Sequence, residues 1–309
     1  MRQFTVCYLS WHFQSPDIFL QYLRKMTPNQ SCKWKEMSAT TDFTKADFIV
    51  VFDGCKEKVP NERAIYVGQH PYVGNGLSPS FRTFNDKKCL RAIRLDRDLN
   101  CGEWWIDYTY DQLVSMQPTK KEKEICCIMT YKNINSMYMQ RVLYMQQLSN
   151  YLLNKNYYYL DIYGRPEENF RNDSKLKVFY RGFLGANNPN GLLNEHTIGK
   201  NIISKYRYSL EFDVGPTKNF ISERFYDAIL LWTMPIYFGS TNVDFYINKD
   251  SFVYTDIYNI KDAEFEKIRK LVESSYREEN LHAISETRDL LLNKYQTWPY
   301  IYNVLKEYV

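Results

Sequence analysis

Along the first third of the chain, short apolar runs alternate with stretches of helical spacing. Runs at residues 4–9, 46–52 and 64–68 each end in a turn or polar residue and predict strands. Residues 17–25 place apolar side chains three and four apart and predict a helix. Strands alternating with helices build a parallel sheet covered on both faces. Ligands of such sheets sit at the carboxyl ends of the strands, and Gly54 and Gly68-Gln69-His70-Pro71 fall at such ends. The stretch 116–124 is polar, carries Pro118 and is rich in Lys, which marks a boundary. A second alternation follows: a strand at 125–130, a helix at 137–153 capped by Asn135 or Ser136, and a strand at 157–163. Residues 183–200, rich in Gly, Asn and Pro, predict a loop. Beyond it come a strand at Tyr206–Phe212, a helix at 221–232, strands at Met234–Phe238 and 251–254, and helices at 263–273 and 281–295. The pattern is that of an α/β protein with two Rossmann-like, doubly wound domains facing a cleft. We place an N-terminal domain at residues 1–117 and a second domain at 118–280. Helices at 281–309 are expected to pack back toward the first domain.

Composition changes this picture little. Apolar residues at 44% support packed cores. The aromatic share of 17%, with 27 Tyr, suits polar pockets as well as cores, because a Tyr ring buries while its hydroxyl keeps a partner. The net charge of +4 is mild, and the densest basic run, Lys120-Lys121-Glu122-Lys123, reads as a solvated linker rather than a nucleic-acid patch. Seven Cys, an odd number with no CxxC pair, argue against a disulfide framework and a zinc site. Cys126 and Cys127 lie in a strand-like run and read as core, which fits a reducing compartment. The N-terminal apolar stretch is short and broken by polar residues, and no run reaches the length that spans a bilayer. The expected location is the cytoplasm, with room for a weak attraction to the inner membrane surface.

The segment from Tyr206 to Gly239 carries the chemistry. Its layout is strand, loop, helix, strand, with Asp213 ending the first strand and Glu223 and Arg224 in the first turn of the helix. A helix N-terminus offers unpaired N–H groups and partial positive charge, so it favours phosphate. Arg224 adds a planar fork of donors suited to phosphate oxygens. Glu223 suits the paired hydroxyls of a ribose. On layout alone, Glu223 could equally cap the helix with Ser222 or Asn219, and Arg224 could be a surface residue.

These residues resemble the α1,3/4-fucosyltransferases of glycosyltransferase family 10. The family pattern runs close to YKFxLxFEN, six residues, YxTEK, a helix, then VPIYxG and PxxxxxIPxxSFI. Here the corresponding residues are Tyr206-Arg207-Tyr208-Ser209-Leu210-Glu211-Phe212-Asp213-Val214, then Phe220-Ile221-Ser222-Glu223-Arg224. After the helix come Met234-Pro235-Ile236-Tyr237-Phe238-Gly239 and Asp250-Ser251-Phe252-Val253. Upstream, Arg141 and Asp161-Ile162-Tyr163-Gly164-Arg165 look like the family's RxxYxxxL…VDxYGR segment, and Thr109-Tyr110-Asp111-Gln112-Leu113 is similar to a TYDEL stretch. The resemblance is close from about residue 105 to 300 and loose before that.

The resemblance implies a GT-B fold and an inverting transfer that needs no metal. It implies a nucleotide-sugar donor, GDP-fucose foremost, held by the second domain, and a glycan acceptor. Arg141 and Arg224 match positions that contact the diphosphate, Glu223 the ribose-binding Glu, and Phe220 an aromatic near the nucleotide. Ser222 falls within the same donor-binding run. Asp213 matches the Glu of FEN, one methylene shorter, and Val214 stands where the family has Asn. Without a metal, arginines and helix N-termini must stabilise the leaving diphosphate.

The general base is expected on the first domain. The family carries a Glu in a YxGE-like context, and Gln69 occupies that place in Tyr66-Val67-Gly68-Gln69-His70. Gln cannot accept the acceptor's proton, whereas His70 can. Asp96-Arg97-Asp98 has the DxD form of metal-dependent transferases but no strong strand before it, and it reads as a chance triplet. Two alternatives stand beside the fucosyl reading: a GT-B transferase using another nucleotide-sugar, and an inactive nucleotide- or carbohydrate-binding homologue.

Overall fold

The structure, a computed structural model, describes residues 2–10, 13, 15–69, 88–131, 136–184, 199–213 and 215–309. His70 and Val214, singled out above, lie outside the described residues, as does the 185–198 part of the expected loop. The described residues form two six-stranded sheets. The first contains β1 (Phe4–Ser10), β2 (Lys33–Trp34), β3 (Met37–Ala39), β4 (Phe48–Phe52), β5 (Ala64–Val67) and β6 (Arg91–Ile93). Its spatial order is β2-β3-β1-β4-β5-β6, parallel throughout except for the short β2–β3 pair. β4 and β5 read as continuous apolar runs because both faces of a parallel sheet are covered.

The second sheet contains β7 (Lys123–Thr130), β8 (Leu160–Arg165), β9 (Tyr180–Gly182), β10 (Tyr206–Phe212), β11 (Met234–Phe238) and β12 (Val253–Tyr254). Its order is β12-β11-β10-β7-β8-β9, and every neighbouring pair is parallel. Counted within this sheet, that is the 3-2-1-4-5-6 order of a dinucleotide-binding fold. The chain moves to one side after β7 and to the other after β10, so a crevice opens between the carboxyl ends of these two strands.

Sequence periodicity missed several elements. β2 and β3 are too short to show an alternation. The helix Thr297–Leu305 falls within the stretch 281–309 expected to be helical, and its Pro299 sits in the first turn, where its missing N–H costs nothing. This helix packs on the first sheet. Trp298 Nε1 donates to Leu23 O at 2.9 Å, its ring meets Tyr8 at 5.2 Å, and Gln296 Nε2 donates to Met26 O at 3.1 Å. The helix expected at 221–232 is shorter, Glu223–Leu230, since Ser222 caps its start.

Lys121 corrects the reading of the basic run as solvated. Its ammonium donates to Ser204 O and Leu231 O, both at 2.7 Å. Burial lowers its pKa to about 7, with nearby Arg277 adding repulsion. Arg277 Nη2 donates to Trp232 O at 2.7 Å, and Arg288 lies over the Trp232 ring at 4.4 Å. Three cations thus gather at the C-terminal end of the helix Glu223–Leu230, where its dipole is negative.

Candidate functional site

The site is built at the crevice between β7 and β10. The helix Ser136–Asn154 follows β7, and the helix Glu223–Leu230 follows β10. Each brings an arginine. Arg141, in the second turn of its helix, is only 5% exposed, and its Nε and Nη2 atoms are buried with no hydrogen-bond partner among the described residues. Its guanidinium lies 5.0 Å from the centre of the Tyr138 ring. Burial, and then repulsion from Arg224, push its pKa down to about 10, against the pull of Asp213. A buried cation beside a second cation, with donors unspent, is costly unless an anion joins it.

Arg224 is held more firmly. Its Nη1 donates to Ile128 O of β7 at 2.9 Å, so the helix start is tied across the crevice to the neighbouring strand. Glu223 Oε1 lies 3.9 Å from Arg224 Nε, too long for a hydrogen bond, which leaves the carboxylate able to take a ligand's hydroxyls. Ser222 caps the helix: its Oγ accepts from Arg224 N at 3.3 Å and donates to Asp213 Oδ1. Tyr237 OH donates to Asp213 Oδ2 and accepts from Ser240 N at 2.8 Å. Asp213 is 1% exposed, and burial raises its pKa to about 6 despite these two hydroxyl donors. It therefore acts as a brace between strand and helix start. Gly239 makes room for the brace, since a Cβ there would lie 2.4 Å from Asp213 Oδ2 and 2.2 Å from Tyr237 OH.

Phe220 is buried but belongs to neither hydrophobic core. It sits between Asn219, which holds a left-handed φ of 60°, and Ile221. Left-handed backbone is tolerated better by Asn than by most residues. The Asn219 side chain repays it, receiving Asn242 Nδ2 at 2.8 Å and Tyr246 OH at 2.5 Å, and donating to Leu95 O at 2.9 Å.

The structure thus brings Arg141, Asp213, Ser222, Glu223 and Arg224 to one edge. Gln69 belongs to the other sheet, at the carboxyl end of β5. Its backbone N–H donates to Asp53 Oδ1 at 2.8 Å, and its side-chain Oε1 is buried with no hydrogen-bond partner among the described residues. Asp53, at the end of β4 with φ 56°, was not foreseen. Glu211 was also missed. It sits on β10 at 2% exposure, accepts from Ser209 Oγ, and burial raises its pKa to about 8 although Arg224 pulls the other way. The available signal was weak, because Glu211 follows Arg207 and Ser209 in a strand whose polar and apolar residues alternate. Of the DxD triplet, Asp98 is committed to its own loop: Oδ2 accepts from Arg94 N and Arg97 Nε, both at 3.1 Å. Among the described residues no group of three or more His, Cys, Asp or Glu is disposed to hold a metal ion.

A family model described as glycosyltransferase family 10 (fucosyltransferase), C-terminal, matches residues 118–306. No curated protein matches the chain by sequence. Among solved structures, an α1,3-fucosyltransferase crystal structure is similar at 15% identity, covering 97% of this chain and 93% of that one, with a TM-score of 0.48. The structure of an α1,3-fucosyltransferase with GDP-fucose is similar at 14% identity, covering 96% and 92%, with a TM-score of 0.44. The structure of TarM is similar at 15% identity, covering 93% of this chain and 57% of that one, with a TM-score of 0.46.

Proposed function

The chain belongs to glycosyltransferase family 10 and is a glycosyltransferase, and from that premise we propose that it transfers fucose from GDP-fucose to a glycan acceptor with inversion and without a bound metal. One observation carries the donor part of this reading. The buried Arg141 guanidinium has unspent donors beside Arg224 at the switch point of a dinucleotide-binding sheet. A diphosphate supplies the missing negative charge and accepts those hydrogen bonds. In the transfer, the bond from the sugar's anomeric carbon to the diphosphate breaks, and negative charge grows on the leaving GDP. Two arginines and two helix starts meet that charge where it develops, doing the work that other transferases assign to a divalent cation. Glu223 takes the ribose hydroxyls, and Phe220 lies beside the nucleotide.

Inversion needs one displacement, with the acceptor hydroxyl's proton passing to a base as its oxygen attacks. We assign that role to His70, next to Gln69 in sequence. The glycan then lies along the carboxyl edge of the first sheet. The cytoplasm, at the inner membrane surface, is the proposed place of action.

The test is calorimetric titration with GDP, UDP and their sugars, followed by fucose-transfer and donor-hydrolysis assays with and without EDTA. The reading expects GDP to bind more tightly than UDP, GDP-fucose to be turned over, and EDTA to leave the rate unchanged. Binding of UDP alone would move the protein to another donor, and an EDTA-sensitive rate would remove the metal-independent mechanism.

A further inference from the structure

We propose that Asn100 is a positioning residue for the donor site, acting through the loop that leads into the helix Glu223–Leu230; the inference rests on reading that helix start as the donor site. Asn100 lies between the two sheets in sequence, far from the motif, and is 5% exposed. Its side-chain amide mimics a neighbouring strand. Oδ1 accepts from Ile221 N at 2.9 Å, and Nδ2 donates to Ile221 O at 3.0 Å. Its backbone N–H donates to Asn219 O at 3.0 Å. The peptide groups on both sides of Phe220 are therefore held from outside the second sheet. The next residue, Ser222, is the cap that sets Glu223 and Arg224.

Buried amides of this kind select one arrangement, because any shift of Ile221 strands a donor and an acceptor on each side. The same segment continues as a strap along the helix. Trp105 N and Ile106 N donate to Asp227 Oδ1 at 2.7 and 3.2 Å. Between these points, Gly102 has no space for a side chain, since a Cβ there would lie 1.9 Å from Tyr226 OH. The strap thus meets the helix at its start, on its flank and in its middle. Only the Asn100 end adjoins ligand-facing residues, whereas the Asp227 end contributes to stability. Loss of Asn100 loosens the loop before the donor binds, so binding must restore the order, and the cost falls on affinity rather than on the chemical step.

The experiment measures GDP Kd, donor KM, kcat and Tm for the wild type, Asn100→Ala, Asn100→Asp and Asp227→Asn. Asn100→Ala is expected to raise Kd and KM about tenfold, with kcat at saturating donor within about twofold of wild type. Asn100→Asp keeps the acceptor for Ile221 N but sets a carboxylate oxygen against Ile221 O, so it is expected to raise Kd and KM at least as far as Asn100→Ala. Asp227→Asn is expected to lower Tm and leave KM unmoved. Wild-type KM and Kd in Asn100→Ala, with only Tm reduced, would overturn the inference. A fall in kcat with KM unmoved would overturn it as well. If Asn100→Ala does not fold, Asn100→Asp decides by the same readouts. A wild type that binds no GDP overturns the donor reading and this inference together; normal wild-type binding with unaffected Asn100 variants overturns this inference alone.

Discussion

At the carboxyl edge of the second sheet, the acids behind the ligand-facing arginines are tied down. Asp213 is held by Ser222 and Tyr237, and Glu211 by Ser209. At the carboxyl edge of the first sheet, Asp53 fixes the backbone of Gln69, while the side-chain oxygen of Gln69 has no partner among the described residues. The difference follows from what each edge meets in the proposed reaction. A diphosphate presents a fixed charge, so its site gains from a rigid frame of tied acids around the arginine donors. An acceptor glycan presents hydroxyls that both give and take hydrogen bonds, so an unspent amide oxygen is useful there.

The sharpest test of this contrast removes the two arginines. Arg141→Met with Arg224→Met is expected to weaken GDP binding by more than about 10³-fold by calorimetry, since two charge-assisted contacts are lost. Arg141→Met alone should also raise the Tm of the ligand-free protein, because it deletes a buried unpaired charge. A wild-type GDP Kd in the double variant would leave the second sheet without a donor site. The next effect belongs to the other edge. His70→Ala should lower kcat about 10²-fold while leaving GDP Kd unchanged. An unchanged transfer rate would remove His70 from the mechanism.

Gly239→Ala tests the brace. Its new methyl meets Asp213 and Tyr237 well inside contact distance, so a loss of about 2 kcal/mol in denaturant unfolding is expected. Donor affinity should fall with it. The smallest effect concerns Glu211. Its folded pKa of about 8 lies above its ordinary value of 4.5, so the fold favours the neutral acid. That contribution is full below pH 4.5 and is lost as pH rises through 8. Glu211→Gln keeps a partner for Ser209 without the charge. It should therefore unfold at a higher denaturant concentration than wild type at pH 9 and at the same concentration at pH 4. Equal gains at both pH values would show that the carboxylate does not titrate in the folded protein.

Much of the donor edge was legible because its chemistry is local. Ser222, Glu223 and Arg224 are consecutive, and a helix start declares itself by its cap and by the apolar spacing that follows. The residues that hold this start in place were not legible. Asn100 precedes Ile221 by 121 positions and sits in a stretch with no periodicity. Glu211 looked like one polar place in an alternating strand, and only the covering helix makes it a buried acid. Lys121 lay in a run of charges whose ordinary fate is solvent, and its burial depends on the carbonyl groups of Ser204 and Leu231 arriving from later in the chain. Asp213 and Tyr237 were both visible in the motif, but the hydrogen bonds that join Asp213 to Ser222 and to Tyr237, 9 and 24 positions on, were not.

The docking of Thr297–Leu305 on the first sheet has a consequence for synthesis. Trp298 fills space against Tyr8 and Leu23, residues that leave the ribosome long before it does. The N-terminal half must therefore wait, with that face uncovered, until residue 298 has been translated. The second sheet, with its strands contributed in one continuous stretch, can assemble in the meantime. On this order the half built on the second sheet serves as the first folded body, and the half built on the first sheet becomes complete only when the helix Thr297–Leu305 closes over it.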